Sequence, residues 1–170
     1  MTDQYYKKFK INSTIISSLS ESLIQNDDWE RNYGLDTCII SDKIWCKEPL
    51  LATLDNRFPI DFGFLIRIPP NTVYNWHLDG VRAAGVNLKL TQDAYSHTLF
   101  GEPLDDWNDK FIELEYDDNS FYLLNTQHRH CVVNFDKYRY MFSVQFAQTK
   151  EHITYQEIYD WCLLKGLFDE

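Results

Sequence analysis

From Phe62 to Ala147 the sequence breaks into short strand-like runs separated by turn residues, with no helical run between them. Phe62, Phe64, Ile66 and Ile68 alternate with Gly63, Leu65 and Arg67, and Pro69-Pro70-Asn71 ends the run. The stretch ending in His77-Leu78-Asp79 is predicted to be the next strand. Val86–Leu90, Ser96–Phe100, Lys110–Leu114, Ser120–Leu124, Cys131–Asn134 and Tyr138–Ala147 are predicted to follow. Gly101–Asp109 and Asp117-Asp118-Asn119 read as connections. Parallel neighbours need crossovers of a dozen or more residues, usually helical, and this region has none. The pattern therefore predicts an all-β core with flanking helices. The strand count fits a jelly roll, the double-stranded β-helix of cupins.

The ends of the chain differ from its middle. Ile15, Ile16, Leu19, Leu23 and Ile24 recur at helical spacing within Ser13–Asn26, after serines able to cap. Thr154–Leu167 repeats the pattern with Ile158, Trp161, Cys162 and Lys165 on one stripe. Residues 5–11 read as a strand, 27–36 as a loop, and Cys38–Trp45 as a strand or hairpin arm. A chain of 170 residues, 44% hydrophobic and 16% aromatic, suits one domain over residues 1–170 with N-terminal and C-terminal helices.

Charge and cysteines narrow the function. A formal net charge of -10 argues against nucleic-acid or anionic-membrane partners, which need clustered Lys and Arg. Cys38, Cys46, Cys131 and Cys162 form no CxxC pair, so they are expected to be thiols in a reducing compartment. The first residues lack an apolar signal region, and no run is long enough to span a membrane. The expected location is the cytoplasm.

The residues with metal chemistry begin at His77 and Asp79. In an extended strand, side chains at i and i+2 share a face, so both could reach one ion. A third ligand must come from elsewhere. His128 and His130 compete for it, themselves two residues apart. His130 is preferred because it opens the Cys131-Val132-Val133 strand. Two histidines and one carboxylate leave half of an octahedral ion open, which suits non-haem Fe(II) and O₂ chemistry.

The strand after His130 has two unlike faces. Tyr138, Tyr140, Phe142, Val144 and Phe146 form one; Arg139, Met141, Ser143 and Gln145 form the other. If helices cover the aromatic face, the other face lines the barrel interior. A buried Arg there seeks a carboxylate, which its guanidinium fork can bind in bidentate fashion. Asn87, out of phase with Val86 and Leu88, would share that inner face. For Arg82, two readings stay open: contact with a carboxylate of substrate or co-substrate, or a solvated loop residue. For Asn125 they are a cap on the following turn or a contact to co-substrate.

His77-x-Asp79, the His130-x-Val132-x-Asn134 run and Arg139 together resemble the Fe(II)- and 2-oxoglutarate-dependent dioxygenases. The resemblance spans roughly Phe62 to Phe146, about half the chain. It is similar to the aspartyl/asparaginyl β-hydroxylase-like and prolyl hydroxylase-like branches, and to small oxygenase-like proteins encoded by phages. The resemblance implies that His77, Asp79 and His130 bind Fe(II) and that Arg139 pairs with the distal carboxylate of 2-oxoglutarate, a co-substrate that Asn125, Asn87 and Arg82 are candidates to contact. It further implies that an amino acid or peptide side chain is hydroxylated at a C–H bond with O₂, giving succinate and CO₂. The rival expectation is a metal-binding cupin-like protein without oxidation, an isomerase or a binding module, which has no need of an interior Arg139.

Overall fold

The computed structural model describes residues 2–25, 27–32, 34–91, 93–103 and 109–169. The chain opens with β1 (Tyr6–Asn12), α1 (Ile16–Gln25), β2 (Glu30–Asn32) and β3 (Leu35–Ile40). Two short helices follow, α2 (Asp42–Trp45) and α3 (Pro49–Asp55). Then come β4 (Ile60–Ile68), β5 (Thr72–His77), β6 (Ala84–Lys89) and β7 (Ser96–Pro103). The last strands are β8 (Asp109–Leu114), β9 (Ser120–Asn125), β10 (Arg129–Asn134) and β11 (Arg139–Phe146), before α4 (Tyr155–Leu164).

Among the described residues the strands pair antiparallel in two sheets. The larger runs β1-β9-β6-β11-β4-β3-β2 and the smaller β5-β10-β7-β8. This is the jelly-roll architecture expected from the strand pattern. Asn71 and Asn119 adopt left-handed backbone conformations, φ 54° and 57°, in the turns anticipated after Pro70 and Asp118.

Helices lie over one face of the larger sheet. Phe142, Val144 and Phe146 of β11 bury there with Leu19 of α1, Leu50, Leu51 and Leu54 of α3, and Ile158 and Cys162 of α4. The aromatic face of β11 thus meets the helices, and Arg139 turns the other way. Gly63 lets α2 approach closely: a Cβ there would sit 2.7 Å from Trp45 Cδ1 and 2.9 Å from Phe142 Cε2. A capping box starts α4. Glu157 N–H donates to Thr154 Oγ1, and Thr154 N–H donates to Glu157 Oε2 at 2.8 Å.

Two local expectations are corrected. Residues 27–36 are not all loop, because β2 forms and β3 already starts at Leu35. Cys38–Trp45 is not one strand. β3 ends at Ile40, and Ser41 caps α2 by accepting from the Lys43 N–H. α2 is too short to show a helical period. α3 does carry a signal, Pro49 at its first turn before Leu50, Leu51 and Leu54.

Candidate active site

β5 and β10 are neighbours in the smaller sheet, and their register sets His77 directly opposite His130. β5 ends at His77, so Asp79 does not reach its neighbour along a strand as the spacing suggests. It sits in the loop beyond, held by its N–H donating to the Thr126 carbonyl at 3.0 Å. Asp79 Oδ1 lies 3.6 Å from His77 Nε2 and 3.7 Å from His130 Nε2. One ligand atom from each of the three residues falls within 4.8 Å of the others.

Both imidazoles are oriented in the same way. His77 Nδ1 meets the Asn75 carbonyl at 2.7 Å, and His130 Nδ1 meets the His128 carbonyl at 2.9 Å. A carbonyl only accepts, so each ring carries a proton on Nδ1 and turns Nε2 toward Asp79. Burial pushes the His130 pKa down to about 4, aided by the adjacent His77. His130 is therefore neutral at pH 7, the form that binds metals.

Asp79 Oδ2 faces away from the histidines and accepts from Arg82 Nε. Arg82 Nη1 donates to Ser143 Oγ at 3.0 Å, and Ser143 Oγ donates to Asn87 Oδ1 at 2.6 Å. The Arg82 carbonyl accepts from Thr126 Oγ1 at 2.8 Å and from Gln127 Nε2 at 2.9 Å. Arg82 is thus committed to the carboxylate of its own loop. The donor set fits a divalent cation: two imidazole Nε2 atoms and one carboxylate oxygen face a common point, and a hydrogen bond on its far side fixes each group.

Arg139 lies in the same interior and is 2% exposed. Nη2 donates to Thr98 Oγ1 at 2.7 Å and Nη1 to Ser96 Oγ at 3.4 Å. Its Nε has no partner, and among the described residues no carboxylate pairs with it. The guanidinium lies 5.4 Å from the centre of the Tyr116 ring, whose buried hydroxyl makes no hydrogen bond of good geometry. Burial lowers the Arg139 pKa and raises that of Tyr116. A guanidinium still stays protonated at neutral pH, so a buried cation stands without a counter-ion.

The triad and Arg139 line one inner cavity of about 90 Å³, together with Asn87, Thr98 and Tyr116. An outer cavity of about 740 Å³ also reaches His77, Asp79 and Arg82. The two spaces meet at His77 and Asp79, beside Tyr74 and Arg82.

Not every anticipated residue is in this cluster. Asn125 lies outside both cavities: its Nδ2 donates to the Gln4 carbonyl at 2.9 Å and its Oδ1 accepts from the Gln127 N–H at 3.1 Å. Its amide is consumed in shaping the turn before β10. The His128 side chain packs edge-on against Tyr5, with ring centroids 4.7 Å apart, and only its carbonyl serves the site. Tyr116, Ser96, Thr98 and Ser143 were not singled out as site residues. Ser96 and Thr98 carried a signal, polar side chains two apart on a strand that crosses beside His130. Tyr116 carried none, because it follows β8 in a connection.

By sequence, no family model and no curated protein matches this chain. Solved structures do. A Pseudomonas putida prolyl-4-hydroxylase aligns with TM-score 0.62 and 13% identity, over 85% of this chain and 94% of its own. The non-haem alpha ketoglutarate dependent epimerase SnoN from nogalamycin biosynthesis aligns with TM-score 0.63 and 10% identity, over 86% and 79%. HygX from Streptomyces hygroscopicus, with nickel and 2-oxoglutarate bound, aligns with TM-score 0.58 and 10% identity, over 86% and 84%. At 10–13% identity these likenesses are likenesses of fold, the jelly roll described above.

Proposed function

We propose that this protein is an Fe(II)- and 2-oxoglutarate-dependent oxygenase that hydroxylates a C–H bond of an amino acid or peptide side chain. The observation that carries this reading is Arg139. A buried guanidinium without a carboxylate is costly unless a ligand supplies one, and it shares a small cavity with a two-histidine, one-carboxylate cluster. A co-substrate with a carboxylate at one end and a metal-chelating group at the other suits both features. A cupin-like protein that binds metal without oxidation leaves Arg139 unexplained.

His77 Nε2, His130 Nε2 and Asp79 Oδ1 would hold the metal. Together with 2-oxoglutarate and O₂, Fe(II) supplies an oxidant for C–H bonds, with succinate and CO₂ as co-products. Arg139 binds the distal carboxylate of the co-substrate, with Thr98 and Ser96 fixing its fork. Tyr116 stands beside Arg139 with a hydroxyl able to donate to the same carboxylate. Asn87, through Ser143, steadies Arg82 and so Asp79. The outer cavity would present the substrate to His77 and Asp79 between largely apolar walls.

Anaerobic titration with Fe(II) and 2-oxoglutarate tests the reading. A weak visible charge-transfer band is expected in the wild type and absent in Asp79→Ala and His130→Ala. Arg139→Leu keeps Fe(II) binding and raises the 2-oxoglutarate concentration needed for the band by at least about tenfold, since a hydrogen-bonded charge contact carries about 1.5–3 kcal/mol. Folded wild-type protein that gives no band overturns the proposal.

A further inference from the structure

The outer cavity carries information about the substrate. Its walls include Ile39, Phe62, Phe64, Ile66, Trp76 and Val81, and its polar lining away from the triad is Asn32, Thr37, Asn75 and Gln145. Its titratable side chains are Tyr74, His77, Asp79 and Arg82, and the last two already pair with each other. Among the described residues that line this space, the charged ones are Asp79 and Arg82, which hold each other, so a substrate carboxylate or ammonium meets no unpaired opposite charge there. Desolvating such a charge against phenyl and alkyl side chains is unfavourable when it stays unpaired, far more so than for a neutral polar group. Amides and a hydroxyl, by contrast, pair well with neutral donors and acceptors.

The cavity volume, about 740 Å³, falls in the range of about 300–1,000 Å³ found for pockets that enclose small-molecule ligands. Two backbone groups of β5 at the mouth are already bonded within the strand. Trp76 N–H donates to Asn75 Oδ1 at 2.8 Å, and the Asn75 carbonyl meets His77 Nδ1 at 2.7 Å. Those two groups are not available to a partner strand.

We infer that the substrate places an uncharged, largely apolar body in the outer cavity, with only neutral amide, hydroxyl or carbonyl groups around it, and that free amino acids are not substrates. This rests on the oxygenase reading and narrows it. The neutral chemistry has two sources, a small molecule or an internal residue of a peptide, and the experiment separates them.

The probe is a charge series on one apolar body: N-acetyl-phenylalanine amide (neutral), N-acetyl-phenylalanine (anion), phenylalanine amide (cation) and phenylalanine (zwitterion), repeated with leucine. Binding is read by calorimetry and by quenching of Trp76 fluorescence, with Trp76→Phe as the control for the signal. The neutral member of at least one series should bind at least about tenfold tighter than every charged member, a difference of about 1.4 kcal/mol. A capped five-residue peptide with the same central residue binds tighter still if the source is a peptide, and no tighter if it is a small molecule. Ile39 is 67% exposed, so Ile39→Lys adds a cation to the wall without emptying the core and should raise affinity for the anionic member selectively. Equal or tighter binding of the charged members, no binding of any member at millimolar concentration, or an unchanged charge preference in Ile39→Lys each overturns the inference. The Fe(II) and 2-oxoglutarate band needs no substrate. A normal band with a flat charge series removes this inference alone.

Discussion

At the scale of single residues, Arg82 and Arg139 show how similar side chains take opposite parts. Arg139 is buried with part of its guanidinium unpaired, which is the condition of a ligand site. Arg82 is held on two sides, Nε by Asp79 and Nη1 by Ser143. Its role is to hold Asp79 with Oδ1 turned to the histidines, which makes it a positioning residue. Groups that orient a metal ligand typically contribute about 10–100-fold in metal affinity. Arg82→Gln should therefore weaken Fe(II) binding by about that factor while the protein stays folded, as read by metal titration beside a thermal melt. Unchanged Fe(II) affinity would separate Arg82 from the metal site. Neither part was fully legible beforehand. Arg139 followed from strand alternation, a local property. The Asp79–Arg82 contact depends on a loop whose shape is set by Thr126 and Gln127, far away in sequence.

At the scale of elements, β11 is the most informative. Its period of two separates Phe142, Val144 and Phe146 from Arg139, Met141 and Ser143, and the burial of both faces required helices on one side. Patterns of that length are readable because each residue repeats the same statement. α2 is held by contacts, not by period, with Trp45 resting on Gly63, whereas α3 shows its period only over one short turn, Leu50, Leu51 and Leu54 after Pro49, which sink into the helical layer. α4 is the opposite case, marked by its own capping box. Thr154→Ala removes the side-chain acceptor for the Glu157 N–H and should cost about 1 kcal/mol, measured as a lower denaturant midpoint with unchanged m-value. Gly63→Ala should cost more than Thr154→Ala in the same measurement, because its Cβ would collide with Trp45 and Phe142 inside a packed layer.

At the scale of the whole molecule, the cysteines probe each layer separately. Cys38 is on β3 of the larger sheet, Cys131 on β10 of the smaller sheet, and Cys162 on α4; all three are buried, and Cys46 is exposed. Burial pushes the Cys131 thiol up to about 11 and the Cys162 thiol up to about 12. The thiolate is the reactive form, so both are inert at pH 8 for two reasons, access and ionisation. Native protein should give one fast-reacting thiol, Cys46, and denatured protein four. The three slow thiols also test whether residues 1–170 behave as one cooperative domain. The inner cavity takes Arg139 from the larger sheet and His130 from the smaller, so a working site needs the layers to stay together. In a cooperative unit, buried thiols become reactive only through one global opening and are labelled with a common free energy. Mass-resolved labelling across a denaturant series should therefore give coincident transitions for Cys38, Cys131 and Cys162. Labelling of Cys162 well before Cys131 would mean that the helical layer opens alone, and that the sheets hold the triad and Arg139 without it.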